Sequence, residues 1–347
     1  GSVRLTAAAR THRFVSTEGA RVRHGRADFT LSISLDTIAD DGSELDLSTI
    51  WMGVRPEDLP TEAALLGEVV ELRDLLGALR AAPEQEPYTG PVLLGGRAAG
   101  VFFHEVFGHR VEGHRLKRVD NAQTFRSKVG TSILPAFLDV VDDPTLSTAQ
   151  GVALNGAYPY DNEGVPAQRV VLVDDGVLRG FLMGRSTVTA ADVSNGHGRR
   201  AVGRAPVTRQ GNLMVVASKA VSEQELRRQL VDLARKAGLP YGLMVDRIQG
   251  GFTFTERGTP NAFNVNVLVA WRVYVDGRPD ELVRGVDLIG TPLVAFSRVV
   301  AAGDTPWVFN GVCGAESGWV PVSAVSPTLL VSDRKSTRLN SSHLVIS

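Results

Sequence analysis

The stretch His104-Glu105-Val106-Phe107-Gly108-His109 constrains this chain more than any other, because two imidazoles and a carboxylate can serve one ion only if the backbone holds them together. Upstream, Pro91-Val92-Leu93-Leu94 reads as a short apolar strand, and Gly95-Gly96 as the turn into a helix beginning near Arg97. The histidines then lie two to three turns into that helix. Phe102, Phe103 and Phe107 supply an apolar flank that restricts side-chain rotamers and keeps water out.

The spacing carries a conformational cost. On a regular helix, residues four apart differ by about 40° around the axis and residues five apart by about 140°, too far to share an ion easily. A single π-type turn would return both histidines to one face, and Gly108 gives the backbone freedom to make it. The sequence therefore predicts a locally bulged helix bearing His104 and His109, with Glu105 as the proton acceptor of a zinc hydrolase site. A lone buried histidine is more often a hydrogen-bonded core residue, so the reading needs a third ligand. His114 continues the five-residue rhythm, but five more residues rotate it away again, and Gly113 marks the end of the helix. The better candidate is Cys313, the one cysteine of the chain, since a thiolate is a strong zinc ligand and the flanking Gly311 and Gly314 permit a close backbone approach.

With these residues in view, the chain resembles the TldD/PmbA metallopeptidases, specifically the metal-binding TldD-type subunit. The resemblance rests on His104 to His109, Val111-Glu112-Gly113, Tyr160-Asp161-Asn162-Glu163-Gly164-Val165-Pro166, Asn195-Gly196-His197-Gly198-Arg199 and Gly311-Val312-Cys313-Gly314, in the family's order over roughly residues 90 to 332. It implies zinc held by His104, His109 and Cys313, with Glu105 as the catalytic glutamate. It also implies hydrolysis of small or unfolded peptides, including peptide maturation, and a heterodimer with a metal-free TldE/PmbA-like partner subunit. A non-catalytic, peptide-binding or scaffold subunit of such a complex is the alternative. The chain departs from the pattern at His114, where an acid is usual, and in Ala315-Glu316-Ser317-Gly318-Trp319, where a lysine and a glutamine are more typical. Asp120 and Glu112 are both candidates to replace the missing acid.

Composition agrees with this reading. The 347 residues are 43% hydrophobic with a formal charge of -1, and no basic stripe interleaves with aromatics, which argues against nucleic acid as a partner. No apolar run reaches the roughly 18 residues of a membrane span. With one cysteine and no leader-like opening, a reducing cytoplasm fits best. Other motifs are weaker. Gly95-Gly96-Arg97-Ala98-Ala99-Gly100 lacks phosphate-loop spacing, Asn195 to Arg200 reads as a solvated turn, and Asp161 and Glu163 are left without a role.

The expected fold is α+β, with a largely antiparallel β catalytic domain that contains the metal-binding helix, preceded by part of an α/β domain. Phe29 to Leu35 alternates as a half-buried strand, Asp41-Gly42-Ser43 turns into a second strand ending near Met52, and leucines and valines at 65, 66, 69, 72, 76 and 79 predict a helix over 61–82. Later strands are read at 136–141, 170–173, 177–182, 213–216 and 265–275, with a hairpin turn at Asp174-Asp175-Gly176. Ser222 to Glu225 reads as a capping box opening a helix on Leu226, Leu230 and Leu233 that closes at Gly238. This divides the chain into residues 1–82, the C-terminal part of a central α/β domain; 83–332, the metallopeptidase C-terminal domain; and 333–347, a non-native tail whose composition breaks sharply and whose sequence back-translates to a sequencing adapter. The resemblance implies a further domain upstream.

Overall fold

A computed structural model describes residues 1–117, 124–186, 188–189, 193–253, 263–290 and 292–338. The chain opens with an antiparallel meander of β1 (Ser2–Val15), β2 (Arg21–Ile38) and β3 (Glu44–Gly53). Its second turn has Gly42 at φ 86°, with Ser43 N–H donating to Asp41 Oδ1 at 3.0 Å. Helix α1 (Glu62–Ala81) follows, its N-cap Thr61 accepting a hydrogen bond from Ala64 N–H at 3.4 Å. Leu72, Leu76 and Leu79 bury against Ile33 and Leu47 of the meander and against Val269 of the larger sheet, whereas Leu66 points to solvent. That stripe joins the first unit to the second. Leu72→Ala should therefore lower the unfolding free energy by about 2–5 kcal/mol, the usual cost of a core cavity, checked by chemical denaturation.

The second unit begins with β4 (Tyr88–Leu94) and passes through Gly95 into α2 (Gly96–Val106). Then come β5 (Leu138–Asp142), the small ribbon of β6 (Thr148–Ala149) and β7 (Val152–Ala153), the hairpin of β8 (Val170–Asp174) and β9 (Val177–Leu178), and the ribbon of β10 (Gly198–Arg199) and β11 (Val207–Thr208). The β8–β9 turn has both Asp175 (φ 48°) and Gly176 (φ 75°) in the left-handed region, as a two-residue hairpin turn requires. After β12 (Asn212–Ala217), α3 (Glu223–Lys236) is capped by Ser222, which accepts from Glu225 N–H at 3.3 Å. The capping box closes only on that side, because the Glu225 carboxylate turns forward to Arg228 and Gln229. The chain continues through β13 (Tyr241–Thr253), β14 (Phe263–Tyr274), β15 (Glu281–Val283), β16 (Val286–Gly290), α4 (Pro292–Ser297) and the long hairpin of β17 (Val299–Ala315) and β18 (Gly318–Arg338).

These strands form one mixed sheet in the order β15-β14-β13-β4-β18-β12-β5-β8-β9, with β17 alongside β18 and β16 bridging β14 and β18. The β12–β18 and β13–β4 pairs are parallel, and the remaining pairs in the sheet are antiparallel. The fold is α+β, as the sequence predicts. β4 shows why its apolar run is continuous: Val92 and Leu94 face α2, while Leu93 faces Leu226 and Leu230 of α3 on the opposite side. α2 lies so close to β18 that a Cβ on Gly100 would stand 3.3 Å from Ala324. β18 runs on past the composition break at Asp333, pairing Arg334 and Lys335 with Gly90 and Thr89 of β4 through backbone bonds that place no demand on side-chain identity. Residues 339–347 lie outside the described residues, as does Asp120.

Candidate metal centre

The bulged helix is not what brings the two histidines together. α2 ends at Val106, Phe107 N–H still bonds to Phe103 O at 2.9 Å, and a tighter 3-10 turn at Gly108–Arg110 carries His109. So His104 stands in the last turn of the helix and His109 just beyond it, their ring centroids 5.1 Å apart and nearly perpendicular. Two contacts explain the early stop. The Arg110 guanidinium donates to the helix-end carbonyls of Val106 (3.0 Å) and Glu105 (3.3 Å), satisfying acceptors that a continued helix would have used. Gln210 lies over Gly108, where a Cβ would fall 1.9 Å from its Oε1, and it donates through Nε2 to His104 O at 3.3 Å. Burial pulls the Arg110 pKa down to about 10.

Cys313 arrives from β17, opposite Val320 in the β17–β18 hairpin. The donor atoms of His104, His109 and Cys313 all lie within 4.8 Å of one another, with Sγ 3.3 Å from His109 Nε2. All three residues are buried, and His104 Nδ1 is buried with no hydrogen-bond partner. Bond lengths of roughly 2.0–2.1 Å to nitrogen and 2.3 Å to sulfur around a tetrahedral zinc put neighbouring donors about 3.3–3.6 Å apart. The Cys313–His109 pair already stands at this spacing, and an orphaned ring nitrogen with a second imidazole within 4.8 Å completes a donor set whose chemistry fits a zinc ion. Among the described residues no other group of three or more His, Cys, Asp or Glu side chains converges in this way.

The electrostatics favour a cation here. Burial opposes charge on all three, yet the Cys313 thiol is drawn well below its ordinary value by His109 and His104, and His109 is raised well above its own by Cys313 and Glu112. Glu105, next to His104 and only 12% exposed, places Oε2 3.7 Å from His109 Nε2, and burial pushes its carboxyl pKa up. These side chains open into a cleft of about 880 Å³ whose wall includes Ser48–Met52 of β3, the consecutive residues Val308–Ala315 of β17 and Glu316 in the turn that follows.

Behind the ligands lies a polar layer that the sequence reading largely missed. Glu112, fully buried, accepts from His109 Nδ1 at 3.2 Å and from Arg115 at 3.0 Å, which leaves His109 Nε2 as the nitrogen aimed at Cys313. Burial opposes ionisation of Glu112, but His109 and Arg115 hold its pKa well below the ordinary value. His114 stands apart from the three donors and bonds through Nε2 to Glu316 at 2.7 Å, and that hydrogen bond takes the Glu316 pKa to about 2. The Asn195 to Arg200 segment is not a solvated turn. His197 is fully buried against Asp142 at 3.2 Å, and Asp161, through its two oxygens, accepts from Gly198, Glu163 and Val165 N–H, each at 2.9 Å. Arg199 reaches the carbonyls of Gln210 and Pro321, supporting the segment that carries Gln210. The glycines and polar residues that suggest a solvated turn are the ones this backbone-bonded packing needs.

The family model for the PmbA/TldA metallopeptidase C-terminal domain matches residues 87–337. A metalloprotease of Archaeoglobus fulgidus is 30% identical over 263 residues, covering 76% of this chain and 56% of its own length. A metalloprotease of Methanothermobacter thermautotrophicus is 26% identical over 324 residues, covering 90% of this chain and 64% of its own length. The chain thus spans less than two thirds of either relative. Among solved structures, TldE from Thermococcus kodakarensis superposes with a TM-score of 0.65 at 14% identity, covering 92% of this chain and 65% of that one, a likeness of fold. A match across nearly all of the second unit, including both elements that carry the converging donors, means that this chain belongs to the PmbA/TldD metallopeptidase family.

Proposed function

We propose that this chain carries the catalytic centre of a zinc peptidase acting on small or unfolded peptides, with zinc on His104, His109 and Cys313 and with Glu105 as general base. The observation that carries this reading is the convergence of two imidazoles and a thiolate, all buried, beside a carboxylate at the floor of an open cleft. Bound zinc would supply a Lewis acid that activates water and polarises the scissile carbonyl. Glu105 Oε2 takes a proton from the attacking water and returns it to the leaving amine, and burial, which raises its pKa, favours its acting as a base. Glu112 fixes the His109 ring so that Nε2 stays presented to the ion. A purely structural zinc would be closed by a fourth protein ligand, and no fourth described side chain joins the group. The peptide-binding scaffold alternative gives no reason for a buried His104 Nδ1 without a partner, nor for Glu105 to stand beside the two imidazoles.

In this reading residues 83–332 form the metallopeptidase domain, and the chain works in the cytoplasm beside a metal-free TldE/PmbA-like partner subunit, with peptide maturation among its uses. The fold likeness to a TldE and the absence of any described helix long and apolar enough to cross a membrane are compatible with that placement.

Metal removal tests the core of the proposal. The chain, purified with such a partner, is expected to hold one zinc, to lose peptide cleavage on chelation and to regain it with zinc. Cleavage indifferent to chelation would overturn the reading. Because zinc binds a thiolate and neutral imidazoles, its uptake should release protons from these ligands, and affinity should fall as pH falls. Calorimetry in buffers of different ionisation enthalpy measures that release, and a proton-neutral, pH-independent uptake would count against these ligands.

A further inference from the structure

Arg209 is among the largest fully buried side chains of the described residues, and its guanidinium reaches both the β17–β18 hairpin that carries Cys313 and Glu112, the partner of His109. Nη2 donates to Cys313 O at 2.8 Å, Nη1 donates to Ser317 Oγ at 3.0 Å and to Gly318 O at 3.1 Å, and Nε stands 3.4 Å from Glu112 Oε1. Through its other oxygen Glu112 holds His109 Nδ1. We propose that Arg209 is a positioning residue that sets the distance between the His109 and Cys313 donors, acting as a spacer between Glu112 and the β17–β18 hairpin. This rests on the zinc-site reading above.

Three physical points support it. His109 and Cys313 are 204 residues apart in sequence, so nothing local fixes their separation. A buried guanidinium is costly unless it is paired, and here it hydrogen-bonds the hairpin on one side of that gap while its charge pairs with Glu112 at 3.4 Å on the other, an ion pair with no hydrogen bond between Nε and Oε1. The spacer also has a fixed origin, since Arg209 N–H donates to His197 O at 2.9 Å and His197 is locked to Asp142. Lysine cannot replace it, because an ammonium concentrates its donors at one point, whereas Glu112 and the hairpin carbonyls lie along different edges of a planar fork.

The test uses the full chain loaded with Co(II), in which thiolate-to-cobalt absorption reports the bond to Cys313 and chelator competition reports affinity. Arg209→Lys is expected to bind Co(II) about 10–100-fold more weakly, the usual cost of losing an outer-shell partner, with diminished thiolate absorption. Arg284→Lys, at a mostly buried arginine whose partners Ala82 O, Glu84 and Asp41 include no site residue, is expected to lower the melting temperature while keeping the absorption. Wild-type affinity and absorption in Arg209→Lys would overturn the inference, as would an equal optical loss in Arg284→Lys. If Arg209→Lys does not fold, Ser317→Ala is read in its place, because it removes a hairpin partner of the guanidinium without touching Glu112 or His109: weaker binding with altered absorption supports the spacer, and unchanged binding removes it. Absence of any Cys313-dependent absorption in the wild-type protein would overturn the zinc reading and this inference with it, so the two failures are distinguishable.

Discussion

Glu105→Gln should keep its zinc and lose its chemistry, with metal content at the wild-type level and peptide hydrolysis down by about 10²–10⁴-fold, the range that a positioned general base contributes. Glutamine preserves the shape and the apolar packing of a side chain that is 12% exposed in the last turn of α2, so the neighbouring His104 has no reason to move. What disappears is the oxygen that accepts a proton 3.7 Å from His109 Nε2. Burial pushes the Glu105 pKa up, which makes the carboxylate a stronger base than a solvated one and makes its removal costly. Metal analysis and initial cleavage rates on one preparation check the split. Wild-type turnover with zinc retained would exclude Glu105 as the base, and loss of zinc would give it a structural role instead.

The parts of this molecule legible in the sequence are those governed by local rules. The β4–α2 unit could be read because β4 is buried on both faces and therefore continuously apolar, and because Gly95-Gly96 marks the turn. The Asp175-Gly176 turn and the Ser222 cap follow from backbone preferences of single residues. The route from His104 to His109 was less legible. Six residues with a glycine admit either a wide or a tight turn, and the choice is made by Arg110 on the helix-end carbonyls and by Gln210, brought from a hundred residues downstream. Arg209 gave no sign of burial, since it lies among polar residues in Thr208-Arg209-Gln210-Gly211 and its partners lie on other elements. β13, β17 and β18 also went unread, being broken by glycine, proline and asparagine and defined by long-range pairing. His114 and Glu316, which lies in the segment after Cys313, stand 2.7 Å apart, a pairing between elements that neither stretch of sequence discloses.

Cys313→Ala should strip the site of most of its zinc, while His114→Ala should leave occupancy nearly unchanged. Removing Cys313 Sγ takes away the one donor that carries a full negative charge in a buried group otherwise made of two imidazoles, 3.3 Å from His109 Nε2. A two-histidine remnant lacks the charge and the third bond that a closed-shell divalent ion needs, so the loss in affinity should exceed the roughly 10–100-fold cost of deleting an outer-shell partner. His114 offers the opposite control. It is an imidazole five residues beyond His109, the right chemistry at a tempting interval, yet it is committed to Glu316 and lies outside the three-donor group. Its removal frees Glu316, which is half exposed and can be solvated, so neither the ligands nor the core should respond. Elemental analysis of both variants, with competition against a chromogenic chelator, measures the difference. Equal losses in the two variants, or a loss confined to His114→Ala, would show that β17 does not supply the third ligand.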